Sequence, residues 1–171
     1  MKTSIVKLIG DSNFSQDDLL RSITHILESN TLLAMSSLSG LNSYINTAYY
    51  AYNNNLELFI LTEQSTIHGQ NIEQNPSIAA AIWMDSGKYG ENLQGLQLFG
   101  VCEKVSTLKL FDALKQYNNR FPTFAQIIKH PEDFAKGVVK SRLYILKIDK
   151  IKLLDEPAFG RRNYISLTIG K

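Results

Sequence analysis

Residues 56–76 read LELFILTEQSTIHGQNIEQNP. An apolar, β-like run from Leu56 to Leu61 ends in Thr62, Ser65, Thr66 and His68, and the segment closes at Asn75-Pro76. A turn needs no such cluster of hydroxyls, whereas a bound anion does. With Thr62 closing a strand and Ser65 capping a short helix over 66–74, the first helical N–H groups point back toward the strand end. Those donors, the positive end of the helix dipole and the hydroxyls of Ser65 and Thr66 converge on one small volume. That is a workable phosphate site without a glycine loop. His68 falls in the first turn, close enough to donate to the same anion. The plainer alternative makes Ser65 an ordinary N-cap and the other hydroxyls incidental.

On either side of this segment the chain is rich in strands. TLLAMSSL (31–38) and SYINTAYYAY (43–52) are strand-like and joined by the turn SGLN, and NNN (53–55) turns the chain into LELFILT. After the short helix come SIAAAIWMD (77–85), the glycine-containing loop SGKYGEN and a long strand in LQGLQLFGVCEKVS (93–106). Short strands linked by tight turns predict an antiparallel barrel, not a parallel sheet. Helices flank it. Leu19, Leu20, Ile23, Ile26 and Leu27 form a helical stripe that starts at a capping-box-like Ser15/Asp18 and stops at Asn30. Leu108, Phe111, Leu114 and Tyr117 form another over 107–119, broken by Pro122. Residues 123–141 read as one or two short helices interrupted at Pro131, and strands return with RLYILKIDKIKLLD (142–155). The expected class is mainly β with α: an α+β chain with an antiparallel β-barrel and peripheral helices. Residues 1–14 carry no period and read as a tail.

At 171 residues the chain has room for one domain, spanning 1–171. A net charge of +2 with no Lys/Arg run, and no stretch near the roughly 20 apolar residues that span a bilayer, leave no nucleic-acid or membrane partner expected. One cysteine, Cys102, cannot form an internal disulfide, and with no signal peptide the expected location is the cytoplasm. His25, His68 and His130 lack metal-ligand spacing, so no metal is expected. SLSG at 37–40 lacks the flanking pattern of a nucleophile elbow, no Walker or dinucleotide loop is present, and the carboxylates are scattered.

Four strings in order, over residues 19 to the end, resemble the FMN-binding split-barrel superfamily related to pyridoxamine 5′-phosphate oxidase. They are LFILTEQSTIHGQNIEQNP, GLQLFGVCEKV, YNNRFP and KIDKIKLLDEPAFGRRNYISL. The last is most similar to a small bacterial branch ending in a phenylalanine-glycine-basic-basic string, in which histidine stands where most relatives carry lysine or arginine, as His68 does here. The resemblance implies an antiparallel split β-barrel of Greek-key type with FMN at the interface of a homodimer, its phosphate held from Leu61 and Thr62 through Ser65, Thr66 and His68. It also implies that Asn46, Thr47, Ala48 and Tyr49 lie along the flavin ring, with Tyr49 or Tyr50 as a wall, and that Gln97, Arg161 and Arg162 contact the cofactor. Tyr117 and Arg120 are expected at the site mouth, or in helix-packing and salt-bridge roles. Trp83 and Phe99 are expected on the covered dimer face. The implied activity is that of a flavin-dependent oxidoreductase of unknown small-molecule substrate, with no side chain marked as its acid or base. The alternative is a non-enzymatic barrel holding flavin or haem for storage or sensing. The lysine-bearing second strand and arginine-histidine ending of a true pyridoxamine phosphate oxidase are missing.

Overall fold

The computed structural model describes residues 6–10, 13–84, 87–127 and 140–170. Its elements are β1 (Lys7–Ile9), α1 (Gln16–Ser29), β2 (Leu32–Ser39), β3 (Asn42–Tyr52), β4 (Leu58–Glu63), α2 (Ile67–Gln74) and β5 (Ser77–Met84). They continue with β6 (Gln94–Lys104), α3 (Thr107–Arg120), α4 (Pro122–Ile127), β7 (Ser141–Asp155), α5 (Glu156–Phe159) and β8 (Tyr164–Gly170). The expected helix break at Pro131, and His130 with it, lie outside the described residues.

All the strands join one antiparallel sheet in the order β1-β8-β7-β4-β3-β2-β5-β6, and a further β6–β7 pairing closes six of them into a barrel. The hairpin-linked β2, β3 and β4 are followed by β5, which returns through α2 to lie beside β2, the Greek-key connection. The split-barrel class read from the sequence is therefore the observed one. β7 makes closure possible because its 15 residues are long enough to pair β4 over 141–146 and β8 over 150–154 while pairing β6 over 144–155. A bulge opposite Phe99 and Gly100 leaves Asp149 of β7 as the extra residue and bends that strand. Gly100 is required there, since a Cβ would overlap the Lys147 carbonyl oxygen.

Residues 1–14 are not simply a tail. Lys7–Ile9 pairs with β8, and the Leu8 N–H is also held by the Gln16 side chain at 3.0 Å. Three residues are too few to show a period of two, so pairing on an existing sheet edge decides this strand and local pattern does not.

Inward-facing residues of the barrel merge with the stripe of α1 (Leu19, Ile23, Ile26, Leu27) and with Ile72 of α2 into one buried core. The α1 start is as its residues dictate: the Ser15 hydroxyl accepts the Asp18 N–H at 3.1 Å. A second core lies on the other face of β3, β4 and β7, where Ala51, Phe59, Leu143 and Ile145 meet Ala113, Leu114, Tyr117 and Phe124. Pro122 ends α3 as expected, but it also opens α4, because proline suits the first turn of a helix.

Candidate functional site

The site begins where β3 and β4 stop pairing. Asn53 N–H donates to the Glu57 carbonyl at 3.1 Å, which marks 53/57 as a hydrogen-bonded pair. Antiparallel ladders alternate, so 51/59 and then 49/61 are pairs of the same type. On its other edge, Tyr50 N–H donates to the Thr31 carbonyl at 3.2 Å, so the even-numbered residues of β3 face β2. The odd-numbered ones face β4, but β4 pairs only with Tyr50–Tyr52. The backbone N–H and C=O groups of Ile45 and Thr47 thus point into a split. On the same unpaired stretch, the Oδ1 of Asn46 is buried without a hydrogen-bond partner. A buried amide oxygen left unpaired is costly, and a ligand donor would relieve it.

Beyond the split, the end of β4 turns into α2. Thr66, not Ser65, caps the helix: its hydroxyl accepts the Gly69 N–H at 3.2 Å. The reason is the preceding turn, in which both the N–H and the hydroxyl of Thr66 donate to the Glu63 carbonyl, at 3.1 and 2.7 Å. That uses one residue more than a direct strand-to-cap junction. Ser65 is exposed and offers its carbonyl to the Gln70 side chain at 3.2 Å. Gly69 allows the close approach, since a Cβ would stand 2.5 Å from the Glu63 carbonyl oxygen.

His68 turns back toward the strand. Its Nε2 lies 2.5 Å from the Thr62 hydroxyl and 3.2 Å from the Thr66 hydroxyl. Because Thr66 has given its proton to Glu63, it can only accept from His68, which assigns a proton to Nε2. Thr62 then accepts as well and keeps its own proton for a further acceptor. Burial holds the His68 pKa below its usual value, so the ring is neutral at neutral pH. A neutral imidazole, a buried hydroxyl with a proton to give, and the leading amides of an eight-residue helix make a donor-rich pocket for an anion.

The other expected residues divide. Tyr49 borders the split: it is 58% exposed and meets Phe121 edge-on at 5.6 Å. Thr47 and Ala48 lie beside it on the same strand, and Leu61 and Thr62 lie opposite. Tyr50 is not a wall. It is fully buried, with its hydroxyl on the carbonyls of Leu27 and Asn30 at 2.8 and 3.0 Å. Arg120 grips the same two carbonyls and stacks over Tyr50 and Tyr52 at 4.8 and 5.3 Å, so it secures the end of α1. Gln97 sits outside the barrel on β6, in a cavity of about 440 Å³ lined also by Trp83, Lys152 and Tyr164. Arg161 and Arg162 line a neighbouring cavity of about 540 Å³ with Lys88 and Tyr89, and Leu93 borders both. One chain therefore does not gather the whole set: nine residues lie at the split and the turn after it, Gln97 lies on the outer face of the sheet, and Arg161 and Arg162 lie in the turn before β8.

One contributor was missed in the sequence: the Gly69 contact, legible in principle as a glycine just inside a helix start. Tyr117, expected at the site mouth or in helix packing, has its ring in the second core and its hydroxyl between Tyr49 and Leu61.

No protein-family model matches the sequence, and no curated protein matches it. Solved structures do match its shape. A haem-binding protein of Mycobacterium smegmatis superposes with a TM-score of 0.68 at 14% identity, over 93% of this chain and 60% of that one. A Listeria innocua protein provisionally named a pyridoxamine 5′-phosphate oxidase gives 0.60 at 15% identity, over 80% of this chain and 98% of that one. The haem storage protein HutZ of Vibrio cholerae gives 0.62 at 17% identity, over 78% of this chain and 92% of that one. The chain spans about three-fifths of the length of the mycobacterial protein. Its fold is that of the split barrels related to pyridoxamine 5′-phosphate oxidase.

Proposed function

We propose that this protein binds FMN at the interface of a cytoplasmic homodimer and acts as a flavin-dependent oxidoreductase. The observation that carries the reading is the Thr62–His68–Thr66 cluster at the head of α2, beside an unpaired strand edge. FMN needs a site for a phosphate dianion, a flat slot, and hydrogen-bonding groups along the edge of its ring. The Thr62 hydroxyl, held in place by His68 and Thr66, and the first amides of α2 suit the phosphate, and the Ile45 and Thr47 backbone with the Asn46 side chain suits a polar ring edge. Tyr49 suits one wall. The flavin, when bound, supplies the electron transfer; the chain's residues bind and orient it.

The second copy has two supports. Gln97, Arg161 and Arg162 lie away from the split on one chain, so a composite site needs them from another. The outer face of β3-β2-β5-β6 is also built to be covered. Its rows run Thr47–Ala34–Ala81–Gln97 and Ile45–Ser36–Ala79–Phe99, with small residues at the centre. Ile45, Trp83 and Phe99 stand exposed around them at 70, 58 and 39%. A flat face of small side chains rimmed by large apolar ones fits its own copy.

Haem is the second reading, favoured by the names of two of the similar structures. Haem iron requires an axial ligand, and His68 at the split already has Nε2 between two hydroxyls. The donor set is that of an anion site. Titrating the purified protein separately with FMN and with haemin tests the choice: FMN should bind more tightly, and the reverse order would favour the haem reading.

A further inference from the structure

The pairing of β3 with β4 ends at Tyr50 and Ile60, and the next opposed residues, Tyr49 and Leu61, are of the hydrogen-bonded type. A continuing ladder would run directly from the Leu61 N–H to the Tyr49 carbonyl. A side chain occupies that place instead. The Leu61 N–H donates to the Tyr117 hydroxyl, and that hydroxyl donates to the Tyr49 carbonyl at 3.0 Å. One phenol has one proton to give and lone pairs to accept with, so the relay satisfies both backbone groups. A single N–H···O bond spans about 2.9 Å, while two in series reach up to roughly 6 Å, so the strands stand farther apart here than in a ladder. The ring cannot swing aside: it is 4% exposed and packed against Phe121 and Phe124 at 5.2 and 4.9 Å. Burial also pushes the phenol up to about 12, so it remains protonated and able to donate at any physiological pH.

We propose that Tyr117 is a positioning residue, a wedge whose hydroxyl keeps β3 and β4 apart and so holds the slot beyond them open to the flavin. The proposal rests on the reading of the split as the flavin site. Its physical content is separable, however: without the hydroxyl, Leu61 N–H and Tyr49 C=O can bond to each other, and the ladder lengthens by one pair. Closing the ladder brings Thr47 toward Glu63 and narrows the slot.

Tyr117→Phe tests this, because it removes one oxygen and keeps the ring. The first readout is the NMR coupling across a hydrogen bond from the Leu61 nitrogen to the Tyr49 carbonyl carbon, which should be absent in the parent and present in the variant. The second is affinity for FMN, which should fall at least tenfold while the thermal midpoint stays within a few degrees of the parent. A purely structural tyrosine would lower the midpoint and create no coupling. No coupling in the folded variant, unchanged FMN affinity, or a variant that fails to fold would each overturn the wedge. A parent protein that binds no FMN would remove the flavin reading, and the coupling alone would then decide whether Tyr117 separates the strands.

Discussion

Nε2 of His68 lies 2.5 Å from the Thr62 hydroxyl, which joins the end of β4 to the first turn of α2 across six residues. This contact makes the strand–helix turn a pocket. It aims the imidazole of the first helical turn at the hydroxyls, and it leaves the Thr62 proton for a further acceptor.

The pH dependence has a definite sign. Burial lowers the pKa of His68 in the folded protein below the ordinary 6.5. The unfolded chain therefore takes up the proton first, and the stability that the neutral ring contributes is present above pH 6.5 and lost as pH falls through the lower folded value. FMN works against this, since a dianion beside the ring favours its charged form. Between pH 8 and 6.5, FMN affinity should rise as pH falls, with proton uptake visible in calorimetry across buffers of different ionisation enthalpy. His68→Gln should flatten both trends. A parent and variant with the same pH profile would place the phosphate elsewhere.

The cap assignment separates two adjacent residues. Thr66→Ala should lower stability by about 1 kcal/mol, as loss of an N-cap does, while Ser65→Ala should leave it within about 0.5 kcal/mol. Urea unfolding of both variants checks this. Equal losses would mean that Ser65 shares the cap.

Gly69 is constrained by packing, since its ideal Cβ lies 2.5 Å from the Glu63 oxygen and 2.9 Å from the Gln64 oxygen, both backbone atoms. Helix propensity alone would make Gly69→Ala stabilising by about 1 kcal/mol. The clash should reverse that sign and cost about 1–3 kcal/mol. A rise in thermal midpoint would contradict the tight β4–α2 turn.

The outer face predicts assembly. Light scattering should give about twice the chain mass, and Phe99→Lys together with Trp83→Glu should produce a folded monomer with weakened FMN binding, because charges set among the apolar side chains of a covered face lose their water. A folded monomeric parent that binds FMN fully would remove the composite site.

Much of this was legible in the sequence where local chemistry decides the outcome. Ser15 and Asp18 announce the head of α1, Pro122 stops α3, and the run from Leu58 to Thr62 feeds a hydroxyl-rich turn. What stayed hidden depends on long-range geometry. The three residues of β1 gain their state from β8, 160 residues away. Arg120 looks like a site residue beside Tyr117 until the end of α1 arrives beneath it with the carbonyls of Leu27 and Asn30. The exchange of Ser65 for Thr66 as cap follows from a turn one residue longer than the shortest possible. The separation of Gln97, Arg161 and Arg162 from the split follows from barrel closure, which no local string encodes.

The most direct test of the phosphate pocket compares two ligands that differ by the phosphate alone. Calorimetric titration of the parent and of Thr62→Val with FMN and with riboflavin isolates it. The charge-assisted hydrogen bond removed is worth roughly 1.5–3 kcal/mol, so FMN affinity should fall at least tenfold, and riboflavin should bind both proteins within about twofold. A parallel loss of both ligands, or FMN binding that survives the substitution, would contradict the account.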